Sequence, residues 1–312
     1  MKVDVIIPSY KPGKKFLELM KRLAAQSLQP DRIIIMNTEE KYFEALLFGS
    51  QLHQEYPKAE VHHLSKREFD HGGTRNLGVM KSDGDVFICM TQDAVPADNH
   101  LIEELVKGLF QSKDVAVAYA RQLAGKESDE IERFTRSFNY PDKACIKGEE
   151  QLGTLGIKTY FCSNVCAAYR KNVFESLDGF ERHTIFNEDM IYAAKAVKAG
   201  WKIAYVPEAR VYHSHNYTPA EQFHRNFDNG VSQAQHPEIF SGVSSEAEGI
   251  SMVKKMAAHL CRIGKPWLVF RLGADCVARY AGFFLGKHYD RLSPRMVLRC
   301  SSNRDYWKQL GR

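Results

Sequence analysis

VDVIIPSY, residues Val3–Tyr10, is an apolar run that stops at Pro-Ser-Tyr, the pattern of a buried parallel strand with its carboxyl-end loop. Downstream, Lys14–Ser27 places apolar residues at 16, 17, 19, 20, 23 and 24, a helical stripe. The alternation then continues. Arg32–Met36 reads as a second strand, Glu40–Gln54 as a helix and Val61–Leu64 as a third strand. Thr74–Lys81 reads as a helix, Val86–Met90 as a fourth strand, Asp98–Gln111 as a helix and Val115–Tyr119 as a fifth strand. Strands alternating with helices predict a mostly parallel sheet with right-handed crossovers, an α/β fold. Ligands of such sheets bind beyond the carboxyl ends of the strands. That rule gathers Pro8–Tyr10, Asn37–Glu39, Asp70–Arg75 and Thr91–Ala94 around one crevice.

The periodicity weakens between Arg121 and Leu155, where Gly125–Glu132 reads as a loop or short helix. Asp189–Ala199 and Pro219–Val231 suit helices, and Ile203–Val206 and Val211–His213 suit short strands. Gly242–Gly249 resembles a linker. The expected organisation is therefore a domain over residues 1–245 and a basic, amphipathic helical tail over 246–312. Charge supports the division. The 312 residues hold 43 Lys and Arg against 38 Asp and Glu, a net +5. From Ile250 onward there are 13 basic residues against three acids, +10, which leaves −5 for the rest. An acidic body with a basic tail predicts different partners for the two parts.

Several classes drop out. No stretch approaches the roughly 18 consecutive apolar residues of a membrane-spanning helix, and the start lacks a signal-peptide pattern. The expected location is cytoplasmic, peripheral on the inner face of the membrane. The seven cysteines form no CxxC pair, so a zinc ribbon or thioredoxin-like site is not expected; Cys162 and Cys166 read as small buried thiols. There is no GxxxxGK[ST] phosphate loop and no nucleic-acid-binding module.

Four segments carry candidate chemistry. Thr91-Gln92-Asp93-Ala94 follows a strand directly, where a carboxylate can hold Mg²⁺ or Mn²⁺ and leave sites for phosphate oxygens; a helix-capping acid suits the same place. Asn187-Glu188-Asp189 opens a helix, as acids that suit its dipole or as a carboxylate that removes a proton from an attacking hydroxyl. Val211-Tyr212-His213-Ser214-His215 sets two histidines two apart, on one face if the chain is extended, as metal contacts or as hydrogen-bonded histidines. Asp70-His71-Gly72-Gly73-Thr74-Arg75-Asn76 is a glycine turn opening a helix, whose amides and Arg75 could cradle phosphate or ribose oxygens.

The order of these segments resembles a family 2 glycosyltransferase with a GT-A fold. FDHGGTRN (Phe69–Asn76), TQDA (Thr91–Ala94), FNEDM (Phe186–Met190) and HSHNY (His213–Tyr217) look more narrowly like bacterial rhamnosyltransferases, as do Leu292-Ser293-Pro294 and Tyr306-Trp307. The resemblance implies that Pro8, Ser9 and Tyr10 line a nucleoside pocket and that Thr74 and Arg75 approach the nucleotide. It also implies Gln92 and Asp93 at the donor, Asp93 and His213 on a divalent cation with His215 a nearby substitute, Asp189 as catalytic base and Glu188 as its acidic neighbour. Two positions depart from the family pattern. The second strand ends in Asn37-Thr38-Glu39, which moves the expected base contact to Asn37 or Glu39, and the usual Asp-x-Asp is Thr91-Gln92-Asp93.

The implied activity is inverting transfer of a sugar, L-rhamnose from dTDP-rhamnose first and UDP-sugars next, to a lipid-linked or growing polysaccharide. The basic and aromatic tail suits an anionic membrane surface. The rival readings are a metal-dependent phosphoester hydrolase on Asp70, His71, His213 and His215, a nucleotidyltransferase and a non-catalytic, membrane-docked interaction protein. The loop Pro8–Gly13 lacks the glycine-rich, basic pattern of nucleotidyltransferases.

Overall fold

Nine strands form one mixed sheet in the computed structural model, which describes residues 1–46, 52–241 and 246–311. They are β1 (Val3–Tyr10), β2 (Arg32–Thr38), β3 (Ala59–Leu64), β4 (Val86–Met90), β5 (Val95–Pro96), β6 (Val115–Leu123), β7 (Cys145–Lys147), β8 (Cys166–Arg170) and β9 (Lys202–Tyr212). The order is β3-β2-β1-β4-β8-β6-β9-β5, with β7 also on β9. The pairs β1–β2, β2–β3, β1–β4 and β6–β9 are parallel, as the alternation predicts. β8 is antiparallel to both β4 and β6. This reversal matters. The carboxyl ends of β1, β2, β4, β6 and β9 and the amino end of β8 all open on one side of the sheet.

The central strands are buried on both faces: Val5, Ile6, Ile7, Ile88 and Ala118 are inaccessible to solvent. The helix Lys14–Ala24 buries Phe16, Leu19, Met20 and Leu23 in the core that lies against one face of the sheet. Two strands expected at 203–206 and 211–213 are one strand, β9. Its register on β6 jumps between Ala120 and Arg121, from Val206 to Arg210, so Pro207 sits in the bulge and removes no ladder bond. Of the helix expected over Glu40–Gln54, Glu40–Glu44 and Leu52–Glu55 are helical, and 47–51 lie outside the described residues.

The chain divides into two compact units. The first holds 1–123, 140–182 and 188–213, and therefore the whole sheet. The second holds 124–139, 183–187 and 214–312, so the boundary read at 245/246 falls inside it. Of the expected linker, 242–245 lie outside the described residues, and the rest begins the helix Glu246–Arg262. The segment Gly125–Glu132, read as loop or short helix, leads into the helix Glu130–Asn139. Ile131 packs there with Met256, Leu260 and Leu272, and Lys265–Glu130 and Arg271–Asp129 ion pairs (2.9 and 2.8 Å) reinforce the contact.

Candidate active site

At the ends of β1 and β2, the buried Ser9 hydroxyl donates to Asn37 Oδ1 (3.1 Å), and the Asn37 amide meets His63 Nδ1 (3.0 Å). Pro8 is half-buried and Tyr10 exposed; the Tyr10 ring meets Tyr42 edge-on at 5.5 Å between centroids. Gln92 clasps the Tyr10 backbone in both directions, accepting from its N–H (3.0 Å) and donating to its carbonyl (2.9 Å). Gln92, the middle residue of Thr91-Gln92-Asp93, thus ties the loops after β1 and β4. Glu39 is committed to the Lys66 N–H (2.8 Å) and lies 3.6 Å from the Lys41 ammonium.

Asp93, three residues past β4, lies 3.6 Å from Nε2 of His213, which directly follows β9. The His213 N–H extends the ladder by bonding to the Leu123 carbonyl (3.0 Å). Its Nδ1 meets Oε1 of the buried Gln122 at 3.0 Å. Because the Gln122 amide donates to the Tyr140 hydroxyl (2.6 Å) and to Ser163 Oγ (3.0 Å), its oxygen is the end facing His213. That assignment puts a ring proton on Nδ1 and turns Nε2 toward Asp93. A carboxylate and a neutral imidazole form a donor set suited to Mn²⁺ or a similar cation. The residues therefore fit a metal. His215, two residues on, belongs to the second unit.

Ser163 leads to Asn164, just before β8. The Asn164 N–H donates to Asp189 Oδ2 (2.9 Å) and its side-chain amide to Glu188 Oε1 (3.1 Å), while Tyr169 OH donates to Asn164 Oδ1 (2.6 Å). Glu188 is buried against Arg75, 3.1 Å from Nη1. Burial raises the Glu188 pKa, but the Arg75 and His71 charges and the hydrogen bond from Asn164 together outweigh it and hold the group below its usual value. Asp189 is half-buried; burial first, and the Glu188 charge second, push it up to about 7.

Thr74 and Arg75, expected to approach the nucleotide, face inward. The Thr74 hydroxyl is wholly buried and accepts from the Asp70 N–H (3.2 Å), while Arg75 Nη1 also donates to the His71 carbonyl (2.8 Å). Asn76 clasps Phe180 through its N–H (3.0 Å) and carbonyl (2.8 Å). A Cβ on Gly72 would lie 1.8 Å from the Glu181 carbonyl oxygen, so no larger residue fits there. The glycine turn positions the Phe180–Glu181 backbone and, through Arg75, the carboxylate pair.

Residues 4–178 match the family described as "Glycosyl transferase family 2". The O-antigen chain rhamnosyltransferase RfbN of Salmonella typhimurium (strain LT2) is 38% identical over 99% of this chain and 97% of that protein. WbaN of Salmonella anatum, also an O-antigen chain rhamnosyltransferase, is 35% identical over 98% and 96%.

The chain belongs to glycosyltransferase family 2.

Solved structures agree on the GT-A fold. The mannosyltransferase PcManGT from Pyrobaculum calidifontis, in complex with GDP-Man and Mn²⁺, superposes with a TM-score of 0.56 at 14% identity, covering 99% of this chain and 86% of that one. S. aureus TarS 1-349 in complex with UDP-GlcNAc gives 0.52 at 14% identity, over 93% and 92%. As a nucleotide-sugar-dependent family 2 glycosyltransferase, the protein has at the strand ends an O/N donor pair and a carboxylate of near-neutral pKa. Gln122, Ser163, Asn164 and Lys147 escaped sequence reading. Lys147 is buried, which lowers its pKa to about 8, and it donates to the Phe161 and Lys158 carbonyls and to Tyr119 OH, propping the segment that leads to Ser163. Their sequence signal is the polar Ser163-Asn164 pair ahead of a small apolar run, which strand–helix alternation does not single out because β8 is an antiparallel insertion.

Proposed function

We propose that this enzyme transfers L-rhamnose from dTDP-rhamnose, with inversion, to a lipid-linked or growing polysaccharide, and that Asp189 is its base. One observation carries the reading. His213, 3.6 Å from Asp93, is hydrogen-bonded to Gln122 and Gln122 to Ser163, and the next residue in the chain, Asn164, holds both Glu188 and Asp189. Cation-binding and proton-accepting groups are thereby fixed relative to each other along one edge of the sheet.

Asp189 takes the proton of an acceptor hydroxyl, whose oxygen attacks the anomeric carbon as the bond to the departing diphosphate breaks. A single displacement inverts the centre and needs no enzyme nucleophile. Burial, and the charge on Glu188 that Arg75 sustains, keep Asp189 a strong enough base near pH 7. Asp93 and His213 would hold a divalent cation, which supplies charge neutralisation for the leaving diphosphate. Tyr10 and Pro8 offer the nucleoside a surface, and Ser9, Asn37 and Gln92 fix its shape. The choice of rhamnose, and of a saccharide chain as acceptor, rests on the two rhamnosyltransferase relatives.

Asp189→Asn should lower kcat by about 10²–10⁴-fold and leave the donor KM within about two-fold. Near-normal turnover would remove Asp189 from the mechanism. Asp93→Asn and His213→Ala should each weaken Mn²⁺ binding at least about ten-fold by electron paramagnetic resonance titration.

The reading also places the enzyme on an anionic membrane surface. The helix Leu268–Lys287 supports it with an exposed stripe of Phe270, Val277, Tyr280 and Phe284 beside basic residues of the tail. No helix among the described residues is long and apolar enough to cross a membrane.

A further inference from the structure

The second unit contains a cavity of about 500 Å³ lined by Tyr217, Glu221, His224, Arg225, Ser301, Ser302 and Arg304. Two guanidinium groups and an imidazole converge there, yet among the described residues neither Arg225 nor Arg304 has a carboxylate partner. The lone acid of the wall is occupied: Glu221 Oε2 accepts from the Thr218 N–H and hydroxyl, both at 2.8 Å, in the capping box of the helix Pro219–Gln235. Like charges facing one cavity repel unless an anion lies between them.

The wall is also built in advance. The Arg225 guanidinium lies 4.7 Å from the Phe186 ring centroid and 5.6 Å from that of Tyr217. Aromatic contact of this kind holds the plane of the group while leaving its N–H fork for a ligand. The Ser301–Ser302 turn is pinned from beneath by the buried Asp228, which accepts from Ser301 Oγ (2.6 Å), the Ser302 N–H (3.0 Å) and Ser302 Oγ. His224 Nδ1 is bonded to the Cys300 carbonyl (2.7 Å), which fixes the ring. Arginine forks match the spacing of phosphate oxygens, and two of them in a volume this large suit a diphosphate.

We propose that this pocket binds a phosphate or diphosphate group, free or on a lipid. The proposal does not depend on the transfer mechanism, and its failure would leave that mechanism standing. The test uses the full chain in EDTA, titrated calorimetrically with inorganic pyrophosphate, and separately floated with phosphatidylglycerol vesicles. Arg225→Gln/Arg304→Gln should bind pyrophosphate, vesicles or both at least about ten-fold more weakly than wild type, with unchanged melting temperature. Loss confined to pyrophosphate identifies a soluble ligand; loss confined to vesicles identifies a lipid phosphate. Arg225→Lys/Arg304→Lys should retain part of the binding. Equal binding of both probes by wild type and the Gln variant would overturn the pocket's assignment.

Discussion

Asp189 and Glu188 are neighbours in the chain, and their surroundings drive their proton affinities apart. Arg75 stabilises the charge on Glu188, and burial, with that charge second, raises Asp189 to about 7. A base titrating there is protonated and idle in acid, so kcat should rise with pH through about 7. Glu188→Gln removes the negative neighbour while Arg75 stays positive, which lowers the Asp189 pKa. The acidic limb of the kcat profile should therefore move to lower pH; a limb that stays in place would show that a different group titrates. The same change breaks a buried ion pair and should cost about 3–5 kcal/mol in denaturant unfolding. At this scale the sequence was partly readable. The acids announced themselves as Asn-Glu-Asp at a helix start, but nothing local distinguished the base from its neighbour. Arg75, which makes the difference, lies 113 positions before Glu188.

The helix Leu268–Lys287 has two faces with opposite properties. On one, Gly282 and Gly286 meet the helix Pro219–Gln235, Gly286 against Gly230, so closely that added Cβ atoms would lie 2.2 and 2.1 Å from the Phe223 and Phe227 carbonyl oxygens. On the other, Phe270 is 86% and Tyr280 70% exposed. Gly286→Val should force the helices apart and cost about 2 kcal/mol or more, read as a lower melting temperature. Phe270→Ser/Phe284→Ser should leave the melting temperature unchanged and reduce recovery with anionic vesicles at least about five-fold. Full recovery would remove the membrane assignment. Point variants are the proper probe, because deleting 250–312 would uncover the cores formed by Phe227, Val231 and Trp307 and by Ile131 and Leu272. The helix was legible from composition; the close glycine packing was not, since it depends on which helix lies opposite.

Across the molecule the charge is unequally placed, +10 from Ile250 onward and −5 before it. Attraction to an anionic surface should therefore weaken steeply between about 0.05 and 0.3 M salt and be small on zwitterionic vesicles, which flotation at several salt concentrations would measure. By itself the sequence determined the parallel half of the sheet, because buried strands and amphipathic helices write their periods into consecutive residues. It also determined that Ser9, Asp93, Asp189 and His213 fall at the ends of elements, as strand-end loops must. Tertiary structure alone decided the antiparallel insertion of β8, the turning of the glycine motif inward and the Gln122–Ser163–Asn164 path. Hydrogen bonds between groups separated by 41 residues in one case and 91 in another depend on the packed sheet bringing the strand ends together, and no local pattern records such a meeting.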